Sequence, residues 1–97
     1  MTHNIEPNYN VILIAPAGSL EGEKHFNMII PKIMRIEKLI ELVVSRQGLN
    51  PLLDWQLFNE LYPNYAIDYV LHPYLISYFN YIDNGRTTME FIVKENV

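Results

Sequence analysis

The residues able to do chemistry are few and dispersed: His3, His25 and His72, Ser19, Ser45 and Ser77, and eleven carboxylates. Zinc and related metals need three or four ligands held close together, most legibly as His or Cys pairs a few residues apart. The three histidines have no partner at that spacing, and the chain has no cysteine. Thiolate metal sites, cysteine nucleophiles and disulfides are thereby excluded, and no metal site is expected. No serine stands in a Gly-x-Ser-x-Gly elbow. Ala17-Gly18-Ser19-Leu20-Glu21-Gly22 brings two glycines together, yet no Gly-Lys-Ser/Thr follows, so it reads as a turn and not a phosphate cradle. Glu37 and Glu41 lie four apart on one helical face, but Lys38 beside them marks that face as solvated. With no convergent acid–base pair, the sequence points to no enzyme and no cofactor.

What remains is charge and apolar anchoring, the chemistry of binding. Net charge is −4 over 97 residues, which disfavours a nucleic-acid partner because phosphate binding rests on a basic surface. Its distribution is uneven. Residues 24–46 carry Lys24, Lys32, Arg35, Lys38 and Arg46 against Glu37 and Glu41, a local +3, while the remainder carries Arg86 and Lys94 against nine acids, a balance of −7. Such a split gives the surface an orientation and suits an acidic partner on the basic side. On a helical wheel advancing ~100° per residue, Ile36, Leu39, Ile40, Val43 and Val44 share one stripe. Leu42 falls outside it, between Arg35, Lys38 and Arg46. An apolar side chain ringed by cations is an anchor for an acidic protein surface. The alternative packs Leu42 under a loop with the basic stems lying over it.

Positioning these residues falls to a strand, a turn, a second strand and a helix. Residues 9–15 are apolar without strict alternation, which predicts a central strand covered on more than one side. Residues 16–23 form a turn. From 25 to 30, Phe26, Met28 and Ile30 alternate with His25, Asn27 and Ile29, so the two sets face opposite ways. A helix follows over 33–47, ended by Gly48 at the position after its C-cap. Residues 54–61 read as a third strand, with Trp55, Leu57 and Leu61 on one face and Gln56, Phe58 and Glu60 on the other. The spacing of Trp55, Phe58 and Leu61 also allows a helix there. After a loop at 62–65, Ala66–Leu71 reads as a short strand. Pro73 then opens a short helix that turns Leu75, Ile76 and Phe79 inward. Asp83-Asn84-Gly85 is a turn, and 87–94 is a strand with Met89, Phe91 and Val93 on one face. The expected core includes Phe26, Ile36, Ile40, Val43, Trp55, Phe91 and Val93, with 9–15 and 87–94 adjacent and parallel.

This order predicts an α+β domain over residues 9–97, behind a flexible tail at 1–8. It has the layout of a β-grasp, a mixed sheet packed on one main helix. Residues 9–95 resemble a ubiquitin-like domain, and more narrowly the Ras-association domains and the first lobe of FERM domains. The likeness rests on Ile-Pro-Lys-Ile-Met-Arg-Ile-Glu-Lys-Leu-Ile-Glu-Leu-Val-Val at 30–44 and on Tyr-Phe-Asn-Tyr-Ile-Asp-Asn-Gly-Arg-Thr-Thr-Met-Glu-Phe-Ile-Val-Lys-Glu at 78–95. In Ras-association domains the edge of the second strand and the first helix bind the acidic switch region of a small GTPase through basic residues. The resemblance thus implies a partner surface at Lys24, His25, Lys32, Arg35, Lys38 and Arg46; the strand pattern adds Asn27 on the same edge, and the helical wheel adds Leu42 as anchor. The chain ends Lys-Glu-Asn-Val and not Gly-Gly, so conjugation in the manner of ubiquitin is not expected.

The first residues, Met-Thr-His-Asn-Ile-Glu-Pro-Asn, form no basic-then-apolar leader, and no apolar run approaches the ~20 residues of a membrane span. A soluble cytoplasmic protein is expected. Its expected role is protein binding within a signalling or scaffold protein, docking an acidic partner through strand two and the first helix. An alternative is a small free-standing viral or microbial protein that inhibits a host or defence complex by binding it. A third is an obligate subunit or homodimer using Tyr74, Tyr78 and Tyr81.

Overall fold

The computed structural model describes residues 7–14 and 25–96. The expected turn at 16–23, Lys24 and residues 1–6 of the expected tail lie outside the described residues. The elements run β1 (Asn8–Ile14), β2 (His25–Pro31), α1 (Ile36–Arg46), β3 (Trp55–Asn59), α2 (Leu75–Asp83) and β4 (Thr88–Glu95). Strand order is β2-β1-β4-β3. β1 pairs antiparallel with β2 and parallel with β4, and β3 closes the other side antiparallel to β4. The two strands expected to be adjacent and parallel are so, with Val11 opposite Met89 and Leu13 opposite Phe91. Together these elements make a small α+β domain with a mixed four-strand sheet and two helices.

Alternation along the strands sends Tyr9, Val11 and Leu13, Met89, Phe91 and Val93, and Leu57 to one face, where they are buried with Ile36, Leu39, Ile40, Val43, Val44, Leu75 and Phe79 of the helices. The opposite face of β1 is half-buried at Asn10, Ile12 and Ile14, so this central strand is fully covered on one side only. Phe26 and Trp55 also end half-buried, packed against the core and not within it. Both sit on edge strands, where the helical layer runs out. Phe58, read as outward, is 4% exposed. The chain folds back over it: Ala66 bridges Phe58, and the Lys94 ammonium lies 4.4 Å from its ring centre.

Several boundaries differ from the sequence pattern, each for a local reason. β3 stops at Asn59 because that side chain accepts the Leu61 N–H at 2.9 Å while its carbonyl accepts that of Tyr62 at 2.8 Å. This turn leaves Leu61 exposed. The strand read at 66–71 shrinks to the Ala66 bridge and one bond from Ile67 N–H to Leu57 O, 2.9 Å. Asp68 ends it, its carboxylate accepting the N–H groups of Val70 (3.0 Å) and Leu71 (3.3 Å) in an Asx turn. α2 begins at Leu75, two residues past Pro73, and buries Leu75, Tyr78 and Phe79 while Ile76 stays exposed. From Leu75, Ile76 lies ~100° round the helix and leaves the arc that Tyr78 and Phe79 define.

α1 starts three residues later than its apolar pattern. Neither helix has a side-chain N-cap, because each start is capped by the loop before the other. Ile36 N–H donates to Pro73 O, Leu75 N–H to Met34 O and Ile76 N–H to Lys32 O, all at 2.9 Å. Arg35 and Tyr74 are extended and bridge one another. The other end of α1 was legible. Gly48 has φ +65°, its N–H bonds Ser45 O at 3.3 Å, and the Leu49 N–H bonds Val44 O at 3.0 Å, the 5→2 and 6→1 pair of a Schellman cap.

Gln47, the C-cap residue, is fully buried, and among the described residues neither atom of its amide has a partner. An unmet buried amide costs about 1–3 kcal/mol. Gln47→Met keeps the volume and removes the polar atoms, so chemical denaturation should show a gain approaching that size. A loss of stability in that variant would mean that the amide is hydrogen-bonded in solution.

Candidate functional site

The expected partner-binding residues fall on two surfaces that meet along β2. His25 and Asn27 project from the exposed face of the sheet. His25 Nε2 lies 2.9 Å from Glu90 Oε1, reaching past β1 to β4. Lys32, Arg35, Lys38, Leu42 and Arg46 belong to the helical side, and Lys24 lies outside the described residues. Leu42 is half-buried, consistent with its place beside the core stripe of α1.

β2 is a terminal strand of the sheet. Lys32 N–H donates to Pro7 O at 3.0 Å, which makes Tyr9–Ile30, Val11–Met28 and Leu13–Phe26 the hydrogen-bonded pairs of the β1–β2 ladder. The backbone groups of Asn27 and Ile29 therefore point away from the sheet, as does the carbonyl of Pro31. Pro31 supplies no N–H, which ends any strand added there. The β3 edge is covered in part by Ala66 and Ile67. Strand addition thus has its longer template on β2.

The cations beside this edge rest on aromatic rings. Lys32 Nζ is 5.1 Å from the ring centre of Tyr9, the Arg46 guanidinium 5.2 Å from that of Phe26, and the Arg35 guanidinium 5.0 Å from that of Tyr74. Arg35 Nη2 also donates to Tyr74 Oη at 3.3 Å. Only Lys38 has a carboxylate neighbour among the described residues, Glu41 at 3.6 Å, and both groups are well exposed. Exposed pairs of this kind contribute roughly 0–1 kcal/mol. Ring contacts orient the other three cations without neutralising them.

A second feature escaped the sequence reading. Tyr62, Tyr65, Asp68, His72, Tyr78 and Tyr81 line a hollow of about 600 Å³ between the 62–72 loop and α2. The tyrosine set expected as one surface divides: Tyr74 joins Arg35, Tyr78 is buried, and Tyr81 is exposed at this hollow. His72, read as a helix-start residue, stacks on Tyr81 (centroids 4.6 Å) and places Nδ1 3.1 Å from Ser77 Oγ. Among the described residues no carboxylate lies within ion-pair distance of His72, so the contact fixes the ring and does not assemble a nucleophile–base–acid array. Burial pushes the Tyr78 phenol above its usual range, partly offset by the bond from Asn59. The regular recurrence of Tyr over 62–81 was the available signal, but only folding places those rings together.

Among the described residues no group of three or more His, Asp or Glu could hold a metal ion, and no helix is long and apolar enough to cross a membrane. No protein-family model and no curated protein matches this chain.

Proposed function

We propose that this chain is a non-catalytic protein-interaction module of ubiquitin-like β-grasp type, acting in the cytoplasm within a signalling or scaffold protein. It docks an acidic protein through β2 and α1. The strand order, the parallel central pair and the crossover through α1 support the β-grasp reading. The single observation that carries the docking surface is that Lys32, Arg35 and Arg46 lie over aromatic rings and have no carboxylate partner among the described residues. A partner strand would pair with Asn27 and Ile29 and set its acids against these cations and Lys38, with His25 at the far end. The switch region of a small GTPase is the acidic strand that the Ras-association resemblance implies.

Titration of the chain with small GTPases in both nucleotide states tests this. Arg35→Glu should slow association, by roughly tenfold at low salt and less at ~0.15 M, where the Debye length is about 8 Å. Leu42→Ala should leave association unchanged and speed dissociation, because it removes apolar contact area. Unchanged kinetics in both variants would place the interface elsewhere.

A further inference from the structure

We propose that the hollow between the 62–72 loop and α2 is a binding site for a methylated ammonium group. Its volume, about 600 Å³, falls within the ~300–1,000 Å³ range of small-ligand pockets. Its walls are mainly aromatic and apolar, with Tyr62, Tyr65, Tyr78 and Tyr81 among them. Among the described residues no lysine or arginine lines it. Elsewhere the chain seats its own cations on rings: Lys32 on Tyr9, Arg35 on Tyr74, Arg46 on Phe26 and Lys94 on Phe58. Tyr62, Tyr65 and Tyr81 carry none of these cations; Tyr62 and Tyr65 are exposed, and Tyr81 has one face stacked on His72, so ring surface remains for an external cation.

Two further features give the hollow a negative bias. Asp68 lines it, and the bonds from Val70 and Leu71 N–H to Oδ1 hold that carboxylate in place before any ligand arrives. Tyr81 and Ile82 bring in the last turn of α2, the negative end of the helix dipole, which contains Asp83 and no basic residue. A primary ammonium carries three N–H donors and is strongly hydrated, so it gives up more on entering walls that are mainly aromatic and apolar. Methylation removes those donors and spreads the charge over carbon, which aromatic walls accept. His72 faces the same space and is held against Tyr81 by stacking and by Ser77.

The test is an amide NMR titration of the full chain with choline and, in parallel, with its uncharged carbon isostere 3,3-dimethyl-1-butanol. Choline should give saturable shifts at Tyr62, Tyr65, Asp68 and His72, with the isostere at least about tenfold weaker. Asp68→Asn retains the Oδ1 acceptor of the Asx turn and should weaken choline by about fivefold. Tyr65→Leu alters an exposed ring and should weaken it similarly; both variants should keep the wild-type spectrum outside the hollow. Equal affinity for the isostere would make the site merely apolar and overturn the proposal. So would choline binding untouched by both substitutions, or no saturable shift up to about 100 mM choline.

Discussion

Phe79→Ala should destabilise the domain by about 3–5 kcal/mol, from a total that for such a domain is about 5–15 kcal/mol. Phe79 has no exposed surface. Its ring lies 3.7 Å from that of Tyr9, tilted 6°, and meets Phe91 edge-on at 6.1 Å, so one side chain joins α2 to both central strands. Aromatic pairs add about 0.5–1.5 kcal/mol beyond burial. Truncation removes both pairs and leaves a cavity that the paired strands cannot collapse to fill. Phe79→Leu should recover a large part of the loss. Urea titration measures both variants, and a loss below about 1 kcal/mol for Phe79→Ala would mean that α2 is not seated on the sheet in solution.

Asn59→Leu is the second large expected loss, about 2–4 kcal/mol, and its cause is polar. Asn59 is 1% exposed. Its amide nitrogen donates to Tyr78 Oη at 3.2 Å and lies 3.5 Å from Met89 Sδ, while Oδ1 accepts the Leu61 N–H. Leucine fills the space but strips the Tyr78 hydroxyl and the Leu61 N–H of these partners. Tyr78→Phe alone should be milder, about 1 kcal/mol, because the Leu61 bond survives. In the double variant the losses should not add, since both substitutions break the same Asn59–Tyr78 bond. Strict additivity in thermal unfolding would show that this bond is absent in solution.

The core of α1 and of β4 was legible because periodicity reports burial directly, whereas the unbroken apolar run of 11–14 hid which face of β1 is buried. Ile36, Leu39, Ile40, Val43 and Val44 recur at helical spacing, and Met89, Phe91 and Val93 at strand spacing; each lies in the core. Gly48 was legible for a similarly local reason, since its left-handed backbone ends the helix. The start of α1 was not, because Ile33 and Met34 continue the apolar pattern while the chain turns at 32–33, closed by the Met34 N–H to Pro31 O bond, and is extended at Arg35. The burial of Phe58 was equally hidden, as it depends on residues 66 and 94 arriving from elsewhere.

The candidate surfaces divide along the same line. Lys32, Arg35, Lys38 and Arg46 are a basic cluster in the sequence itself, because they flank or ride one helix. That Lys32, Arg35 and Arg46 pair with no carboxylate among the described residues is tertiary, decided by Tyr9, Tyr74 and Phe26 arriving beneath them. The hollow at Tyr62, Tyr65, His72 and Tyr81 belongs wholly to the tertiary structure. By itself the sequence determined the α+β class, the two central strands, the inner stripe and end of α1, and the absence of cysteine chemistry, since each follows from residue type or short-range period. Tertiary structure decided where the helices begin, which strand ends the sheet among the described residues and which rings converge. Those depend on hydrogen bonds and contacts between segments far apart in the chain, for which no local pattern exists.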